Sequence, residues 1–144
     1  MFPQASAADV GDWAAQRNGC FKLSNLTGWI NIHEYPSELL DEAKDNFHAD
    51  SYWNAVDFDS KAATVRAPGY HETGWWDVDV EATIHTWRQL QHDGGSGASG
   101  NQYLVIGSWS HDSIRESQVG EITFPEAPAD NDATYVPVEW DGAY

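Results

Sequence analysis

Between residues 64 and 112 the sequence changes pattern in an order that only a few architectures accommodate. TVRAPGYHETGW, residues 64–75, reads as a strand, and Pro68 and Gly69 in its first half indicate that the strand begins just after them. A helical stripe follows in residues 78–93, formed by Val80, Ile84, Trp87 and Gln91, with Thr83 and Leu90 beside it. A strand followed closely by an amphipathic helix is the first half of a βαβ unit.

The second half of this unit is a glycine-rich loop and an apolar segment. GGSGASG, residues 94–100, is typical of a flexible, linker-like loop. QYLVIGSW, residues 102–109, is a continuous apolar run of the kind that forms a strand buried on both faces of a parallel sheet. The fold class is therefore predicted to be α/β, with these two strands parallel in one sheet.

An acid and a histidine follow the two predicted strands. Asp77 comes directly after GWW, and His111 comes just after the second strand. Functional groups in open α/β sheets collect beyond the carboxyl ends of the strands, so both are expected at the same edge. There a histidine can accept a proton from a serine hydroxyl while an aspartate orients the imidazole. The structural alternatives stay open: a helix cap for Asp77, or for Asp79, and an ordinary loop position for His111.

Residues 1–60 carry weaker signals. SELLDEAKDNF predicts a helix that has Ser37 as its N-cap and ends near His48. One face of this helix is expected to carry Leu40, Ala43 and Phe47. From Phe124 onward the chain is rich in prolines and acids and is expected to be mostly loop.

The charge of the chain excludes two classes of partner. It has 23 Asp and Glu against seven Lys and Arg, a formal net charge of −16. Phosphate binding needs clustered cations, so neither a nucleic acid nor an anionic membrane surface is expected as a partner. The acids are spread along the whole chain, a pattern that resembles proteins of salt-accumulating, halophilic organisms, in which salt screens self-repulsion.

Other features of composition bear on location and cofactors. Cys20 is the single cysteine, so no intrachain disulfide can form. No apolar run reaches the ~20 residues of a membrane span, and the N-terminal residues lack a signal-peptide pattern. A cytoplasmic location is the expectation, with a secreted parent protein left open. No H-x-x-x-H pair or Cys/His cluster is present, so neither a metal site nor a cofactor is expected.

The two strand ends also carry motifs of a known family. GWWD followed by LVIGSWSH resembles the GWYD and LVxGPWxH signatures of the X-prolyl dipeptidyl peptidase and cocaine esterase group of α/β-hydrolases. The α-amino-acid ester hydrolases are the most similar members, because IHTWRQL, NQYLVIGSWSH and VGEITF resemble their corresponding segments. The resemblance covers roughly residues 48–126.

This resemblance implies a partial α/β-hydrolase fold, with a few parallel strands, flanking helices and part of a helical cap. Residues 1–60 would be the partial cap, and residues 61–144 would be the carboxyl-terminal part of the catalytic domain. Such a chain would be a fragment of a longer catalytic domain.

The resemblance also implies roles for individual residues. Asp77 matches the triad acid of the family and His111 its triad base. Asp79 falls near a carboxylate that helps the amino-ester hydrolases bind a substrate ammonium group, although a neighbouring acid of those enzymes is Val80 here. The substrate pocket would be lined by Trp75, Trp76 and Trp109, for which core packing is the alternative.

The nucleophile of the family has no counterpart. A G-x-S-x-G-like elbow upstream of the acid is absent from the 144 residues, and GGSGASG lies between the acid and the base. The expected function is a fragment of a serine hydrolase, a peptidase or esterase acting on X-Pro dipeptides, α-amino-acid esters or acyl amides, and inactive alone. Its partners would be a small-molecule or peptide substrate and a chain that supplies the missing serine. The alternative is a non-enzymatic, acidic, Trp-rich ligand-binding module, or a complementing subunit.

Overall fold

The computed structural model describes residues 1, 3–8, 10–17, 20–47, 50–114 and 116–124. The helix predicted to end near His48 ends at Asp45, with Asn46 at its C-cap position, and the predicted loop after Phe124 lies outside the described residues. The chain divides into two compact units, one containing Met1–Ser6 and Ala62–Tyr144 and the other containing Ala7–Lys61. None of the helices in the described part of the chain is long and apolar enough to cross a membrane.

The unit formed by Ala7–Lys61 is mainly helical. It contains a π-helical turn at Val10–Ala15, the short antiparallel strands β1 (Gln16–Arg17) and β2 (Cys20–Phe21), and the helices α1 (Leu23–Ile32), α2 (Glu38–Asp45) and α3 (Asp50–Trp53). A 3₁₀ turn follows at Asp59–Thr64. The assignment of residues 1–60 to a helical cap stays a prediction.

Helix α2 confirms the helix expected after Pro36 and has Ser37 at its N-cap position, but the side chain of Ser37 does not cap it. Ser37 precedes the helix with helical dihedral angles, φ −60° and ψ −23°, and its side chain makes no capping hydrogen bond. A capping serine needs an extended backbone to bring its Oγ to the N–H groups of the first turn. Ser37 Oγ instead lies 3.5 Å from Oε2 of Glu38. On the predicted apolar face Ala43 is buried, whereas Leu40 and Phe47 are only partly buried.

A parallel pair of strands forms the centre of the other unit. β3 (Gly69–Trp76) and β4 (Gln102–Ser110) pair in parallel, and α4 (Val80–Asp93) connects them and packs against both. Two short antiparallel strands, β5 (Gln118–Val119) and β6 (Ile122–Thr123), follow. The predicted strand, helix, strand order and the parallel pairing are therefore confirmed. This architecture is compatible with part of an α/β fold.

The second edge of β3 is paired as well. The first residues of the chain run parallel to it, with the amides of Tyr70 and Glu72 donating to the carbonyls of Met1 and Pro3 at 3.0 and 3.1 Å. The amide of Ala5 in turn donates to the carbonyl of Glu72 at 2.9 Å. Hydrogen bonds on both edges make β3 an interior strand of this unit, and residues 71–74 are buried.

The prediction that β4 is buried on both faces is wrong. Only Gln102 and Trp109 are buried, and Tyr103 is 43% exposed. In the part of the chain that the structure describes, β4 pairs with β3 alone, so it is an edge strand. A continuous apolar run shows that a strand can be covered on both faces, but not that the covering elements are present.

The buried face of α4 is displaced from the predicted stripe. Its buried residues are Ala82, Thr83, Thr86 and Leu90. The predicted stripe residues Val80, Ile84, Trp87 and Gln91 are only partly buried. The hydroxyl of Thr83 donates to the carbonyl of Ser6 at 3.1 Å, which makes a threonine acceptable on this face.

The glycine-rich segment is not a flexible linker. Its amides are bonded: Gly95 N donates to Val65 O at 2.8 Å and Gly100 N donates to Gln91 O at 2.9 Å. Ala98 is fully buried, and a Cβ on Gly95 would lie 2.5 Å from the carbonyl oxygen of Ala63. Small residues serve here to let backbones approach closely, so composition alone gave the wrong answer.

Candidate active site

The pairing register brings the two strand ends together. Gly74 lies opposite Gly107 and Trp76 lies opposite Ser110, so β4 contains one residue more than β3 in this stretch. This irregularity near the carboxyl end aligns the strands so that the next residues, Asp77 and His111, emerge side by side. Nδ1 of His111 lies 3.0 Å from Oδ1 of Asp77. The sequence-predicted pair is thus within hydrogen-bond distance.

The carboxylate of Asp77 is held from three sides. It is only 4% exposed. Oδ1 accepts a hydrogen bond from the amide of Asp79 at 2.8 Å in addition to its contact with His111. Oδ2 accepts a hydrogen bond from the hydroxyl of Thr73 at 3.1 Å. Both carboxylate oxygens therefore have partners, as a buried charge requires.

The helix-cap interpretation of Asp77 is only partly right. The N-cap position of α4 is occupied by Asp79, whose side chain makes no capping hydrogen bond. Asp77 instead bonds the amide two residues ahead, an Asx turn that leads into the helix. The same carboxylate oxygen therefore accepts the hydrogen bond of that turn and contacts Nδ1 of His111.

His111 begins a short 3₁₀ turn, His111–Ser113, that is closed by reciprocal serine contacts. The amide of Ser110 donates to Oγ of Ser113 at 3.0 Å, and the two hydroxyl oxygens lie 2.7 Å apart. These contacts fix the backbone that carries the imidazole. This turn was not predicted from the sequence, although Ser110 and Ser113 have the three-residue spacing of a capping box.

The surroundings of His111 favour its protonated form. Its side chain is 45% exposed, and the burial that remains would by itself lower the pKa. The hydrogen bond to Asp77 and the negative charges of Asp77, Asp79 and Asp112 outweigh that effect, so the pKa of His111 lies above its ordinary value. With Nδ1 held by the carboxylate, the neutral imidazole presents Nε2 as its basic nitrogen.

The three tryptophans predicted to line a pocket occupy different environments. Trp75 and Trp76 are 63% and 55% exposed, and the ring of Trp76 lies 6.0 Å from that of Phe124. Trp109 is 2% exposed, and its ring fills the space that a Cβ on Gly107 would need. Core packing therefore accounts for Trp109, whereas Trp75 and Trp76 stay at the surface beside Asp77.

Among the residues that the structure describes, one group could ligate a metal ion. Ligand atoms of Asp77, Asp79 and His111 all lie within 4.8 Å of one another. No local spacing pattern reveals this group, because its members come from two strand ends. Within this group, Oδ1 of Asp77 and Nδ1 of His111 are in direct contact at 3.0 Å. The arrangement is accounted for by an aspartate–histidine pair.

His71 and Glu72, which lie on β3 and precede Asp77, do not join the pair. Both are fully buried on β3. His71 Nε2 lies 3.0 Å from Oε1 of Gln102, on the neighbouring strand. Burial lowers the pKa of His71, so this imidazole is neutral inside the protein.

Comparison with known proteins adds one finding. The sequence model of the family described as X-Pro dipeptidyl-peptidase (S15 family) matches residues 32–113, which is more than half of the chain. The matched region contains Asp77 and His111. No curated protein matches this sequence. The chain therefore belongs to the X-Pro dipeptidyl-peptidase (S15) family of hydrolases.

Proposed function

We propose that this chain carries the acid–base pair of a serine hydrolase that cleaves amide or ester bonds. The observation that supports this most directly is the 3.0 Å contact between Nδ1 of His111 and Oδ1 of a buried Asp77. The pair lies just beyond the carboxyl ends of two parallel strands, where such sheets place their functional groups. Family membership supplies the reaction class.

In the proposed reaction His111 transfers the proton, and Asp77 orients the imidazole of His111. Nε2 of His111 accepts the proton of a serine hydroxyl as the serine attacks the carbonyl carbon, and the imidazolium then gives it to the leaving group. Asp77 keeps the Nδ1 proton directed at its own Oδ1 and stabilises the imidazolium. The 144 residues contain no G-x-S-x-G elbow, so another chain or segment would supply the serine.

For the substrate we propose an α-amino-acyl compound, as in the α-amino-acid ester hydrolases. Asp79 supports this choice, because its carboxylate lies within 4.8 Å of the ligand atoms of Asp77 and His111. A carboxylate at this distance from the reacting centre can bind the ammonium group of an amino acid. The exposed rings of Trp75 and Trp76 offer apolar surface for the side chain of the substrate.

The first test measures the chain alone. Purified chain is expected not to hydrolyse p-nitrophenyl acetate or an Ala-Pro p-nitroanilide above the background of its His111→Ala variant, because the sequence contains no G-x-S-x-G elbow. Hydrolysis that disappears in His111→Ala would show that the chain is active by itself, and the proposed need for a second serine-bearing segment would be wrong.

The second test supplies the serine. Residues 32–113 replace the matching segment of an active family member, and the chimera is assayed on the same anilide. We expect activity that His111→Ala or Asp77→Asn lowers by about 10³-fold or more. His92→Ala, at an exposed histidine on α4, is the matched control and should leave the rate unchanged. Equal rates in all variants would contradict the assigned roles.

A second candidate function rests on a different observation. Trp75, Trp76 and Val78 are more than half exposed and lie next to Asp77 and Asp79 in the sequence. Exposed aromatic rings beside carboxylates are also suited to binding a sugar or a cationic ligand without catalysis. Such a binding module should tolerate His111→Ala and lose ligand on Trp75→Ala, which isothermal titration against a panel of both ligand classes would show.

A further inference from the structure

The hydroxyl of Thr73 lies in a position that no sequence motif marks. Thr73 is fully buried near the end of β3, four residues before Asp77. Its Oγ1 is 3.1 Å from Oδ2 of Asp77. An ionised carboxylate only accepts hydrogen bonds, so the threonine hydroxyl is the donor. We propose that Thr73 is a positioning residue, which holds the carboxylate of Asp77 in the orientation that His111 requires.

The two carboxylate oxygens of Asp77 have different hydrogen-bond partners. The partners on Oδ1 are the amide of Asp79 at 2.8 Å and Nδ1 of His111 at 3.0 Å. Rotation about the Cβ–Cγ bond of Asp77 displaces both carboxylate oxygens, and these two contacts resist that rotation at one oxygen only. Thr73 bonds the other oxygen, and contacts on both oxygens define the plane of the group.

Two properties of the residue itself suit this role. Threonine is branched at Cβ, so its side chain has few rotamers and its hydroxyl keeps one direction. Asp77 is 4% exposed, so water has little access to replace a missing donor at Oδ2. Without Thr73 the carboxylate would turn to find another donor, and the Oδ1 contact with His111 would weaken.

This inference rests on the proposed pairing of Asp77 with His111, but its test requires no catalysis. The pKa of His111 is measured by NMR titration of the imidazole carbon-bound protons in the 144-residue chain. Four variants are compared with the parent: Asp77→Asn, Thr73→Val, Thr73→Ser and Thr83→Val. Thr83 is the matched control, because it is also fully buried and donates at 3.1 Å, but to the carbonyl of Ser6.

We expect Asp77→Asn to lower the pKa of His111, because it removes the charge that favours the imidazolium. Thr73→Val, which keeps the shape and removes the hydroxyl, should produce at least half of that drop. Thr73→Ser keeps the hydroxyl, so the pKa of His111 should stay at the parent value. Thr83→Val should not change this pKa either. If Thr73→Val does not fold, Thr73→Ala removes the same hydroxyl with less bulk, and the same drop is expected.

The outcomes separate the two proposals. An unchanged pKa in Asp77→Asn would show that the aspartate and histidine are not paired, which would overturn the proposed function together with this inference. A drop in Asp77→Asn without one in folded Thr73→Val or Thr73→Ala would overturn the positioning role alone. An equal drop in Thr83→Val would also overturn it, since any buried threonine hydroxyl would then have the same effect.

Discussion

At the scale of single residues, two histidines of the same unit meet opposite environments. His111 is partly exposed among the carboxylates of Asp77, Asp79 and Asp112, which raise its pKa against the effect of partial burial. His71 is fully buried, and burial lowers its pKa. As the pH rises, the contribution of His111 to the free energy of unfolding should therefore fall and that of His71 should rise.

The first prediction concerns His111. Its pKa is higher in the folded chain than the ordinary value of about 6.5, so the stability it contributes is fully present below about pH 6.5 and is lost as the pH rises through the folded value. The variant His111→Gln should thus lose more stability at about pH 5.5 than at about pH 9, by about 0.5 kcal/mol for a partly exposed pair. Urea unfolding at both pH values measures this difference, and equal losses would contradict it.

The second prediction concerns His71 and has the opposite sign. Gln102 directs its Nε2 to the carbonyls of Ala67 and Ala98 at 3.2 and 2.9 Å, so its Oε1 accepts the proton of His71 Nε2. Nδ1 of His71 is then unprotonated, and it has no hydrogen-bond partner among the described residues. A proton added there would be a buried charge without a partner.

The stability that neutral His71 contributes is present above about pH 6.5 and is lost as the pH falls toward the lower folded pKa. The parent should lose up to about 1.4 kcal/mol per pH unit in that range through this group. His71→Asn, which cannot take up the proton, should be less stable than the parent at neutral pH but less sensitive to acid. Parallel urea denaturation curves of both proteins test this, and identical acid sensitivity would count against it.

The site residues differ in how far the sequence could predict them. Asp77 and His111 each follow a strand-like segment, and parallel strands place such residues at one edge, so their approach was predictable. Thr73 was not, because a threonine on a strand is ordinary and its bond to Asp77 depends on side-chain geometry. For Trp109 the sequence left pocket lining and core packing open, and its 2% exposure depends on packing that no local pattern reveals.

At the scale of secondary structure elements, the close approach of β3 and β4 controls the site. A Cβ on Gly74 would lie 2.1 Å from the carbonyl oxygen of Trp109 and 2.5 Å from its carbonyl carbon. These are backbone atoms of the neighbouring strand, so they cannot move without shifting the strand. The same stretch contains the extra residue of β4 that aligns Asp77 with His111.

The third prediction is that Gly74→Ala lowers the free energy of unfolding by about 2–3 kcal/mol, as overpacking against backbone does. It should also lower the pKa of His111, because the two strand ends would separate. Gly120→Ala is the matched control: Gly120 has φ +59° but open space around it, so only the cost of its dihedral angle, about 1 kcal/mol, is expected. Thermal unfolding and an NMR titration distinguish the two variants, and similar effects on His111 would disprove the steric argument.

The elements also show why part of the fold escaped prediction. The start of β3 could be predicted from Pro68 and Gly69, and the extent of α4 from its apolar stripe, because these are local signals. The burial of β4 was not, because it depends on neighbours that apolar residues alone do not reveal. The prediction of a flexible glycine-rich loop was wrong for a related reason. Glycine permits both flexibility and tight packing, and here Gly95 packs against the carbonyl of Ala63.

At the scale of the whole molecule, charge is the dominant property. The net charge of −16 on 144 residues means that the folded chain gathers like charges that the unfolded chain holds further apart. The described residues that form the candidate site, Thr73, Asp77, Asp79 and His111, all belong to one compact unit. Conditions that stabilise that unit against self-repulsion should therefore also preserve the site.

The fourth prediction follows from this charge. Raising KCl from about 0.1 M to about 1 M shortens the Debye length from about 10 Å to about 3 Å, so the unfolding temperature should rise as repulsion is screened.

Asp93→Asn removes an exposed acid from the last residue of α4, where a negative charge is also unfavourable to the helix dipole. It should stabilise the chain by about 0.5 kcal/mol at low salt, and this gain should shrink at high salt. Calorimetry of both proteins across the salt series measures the two effects. An unfolding temperature that stays level or falls with KCl would mean that packing, not repulsion, limits the stability of this chain, and the halophilic interpretation of its composition would be wrong.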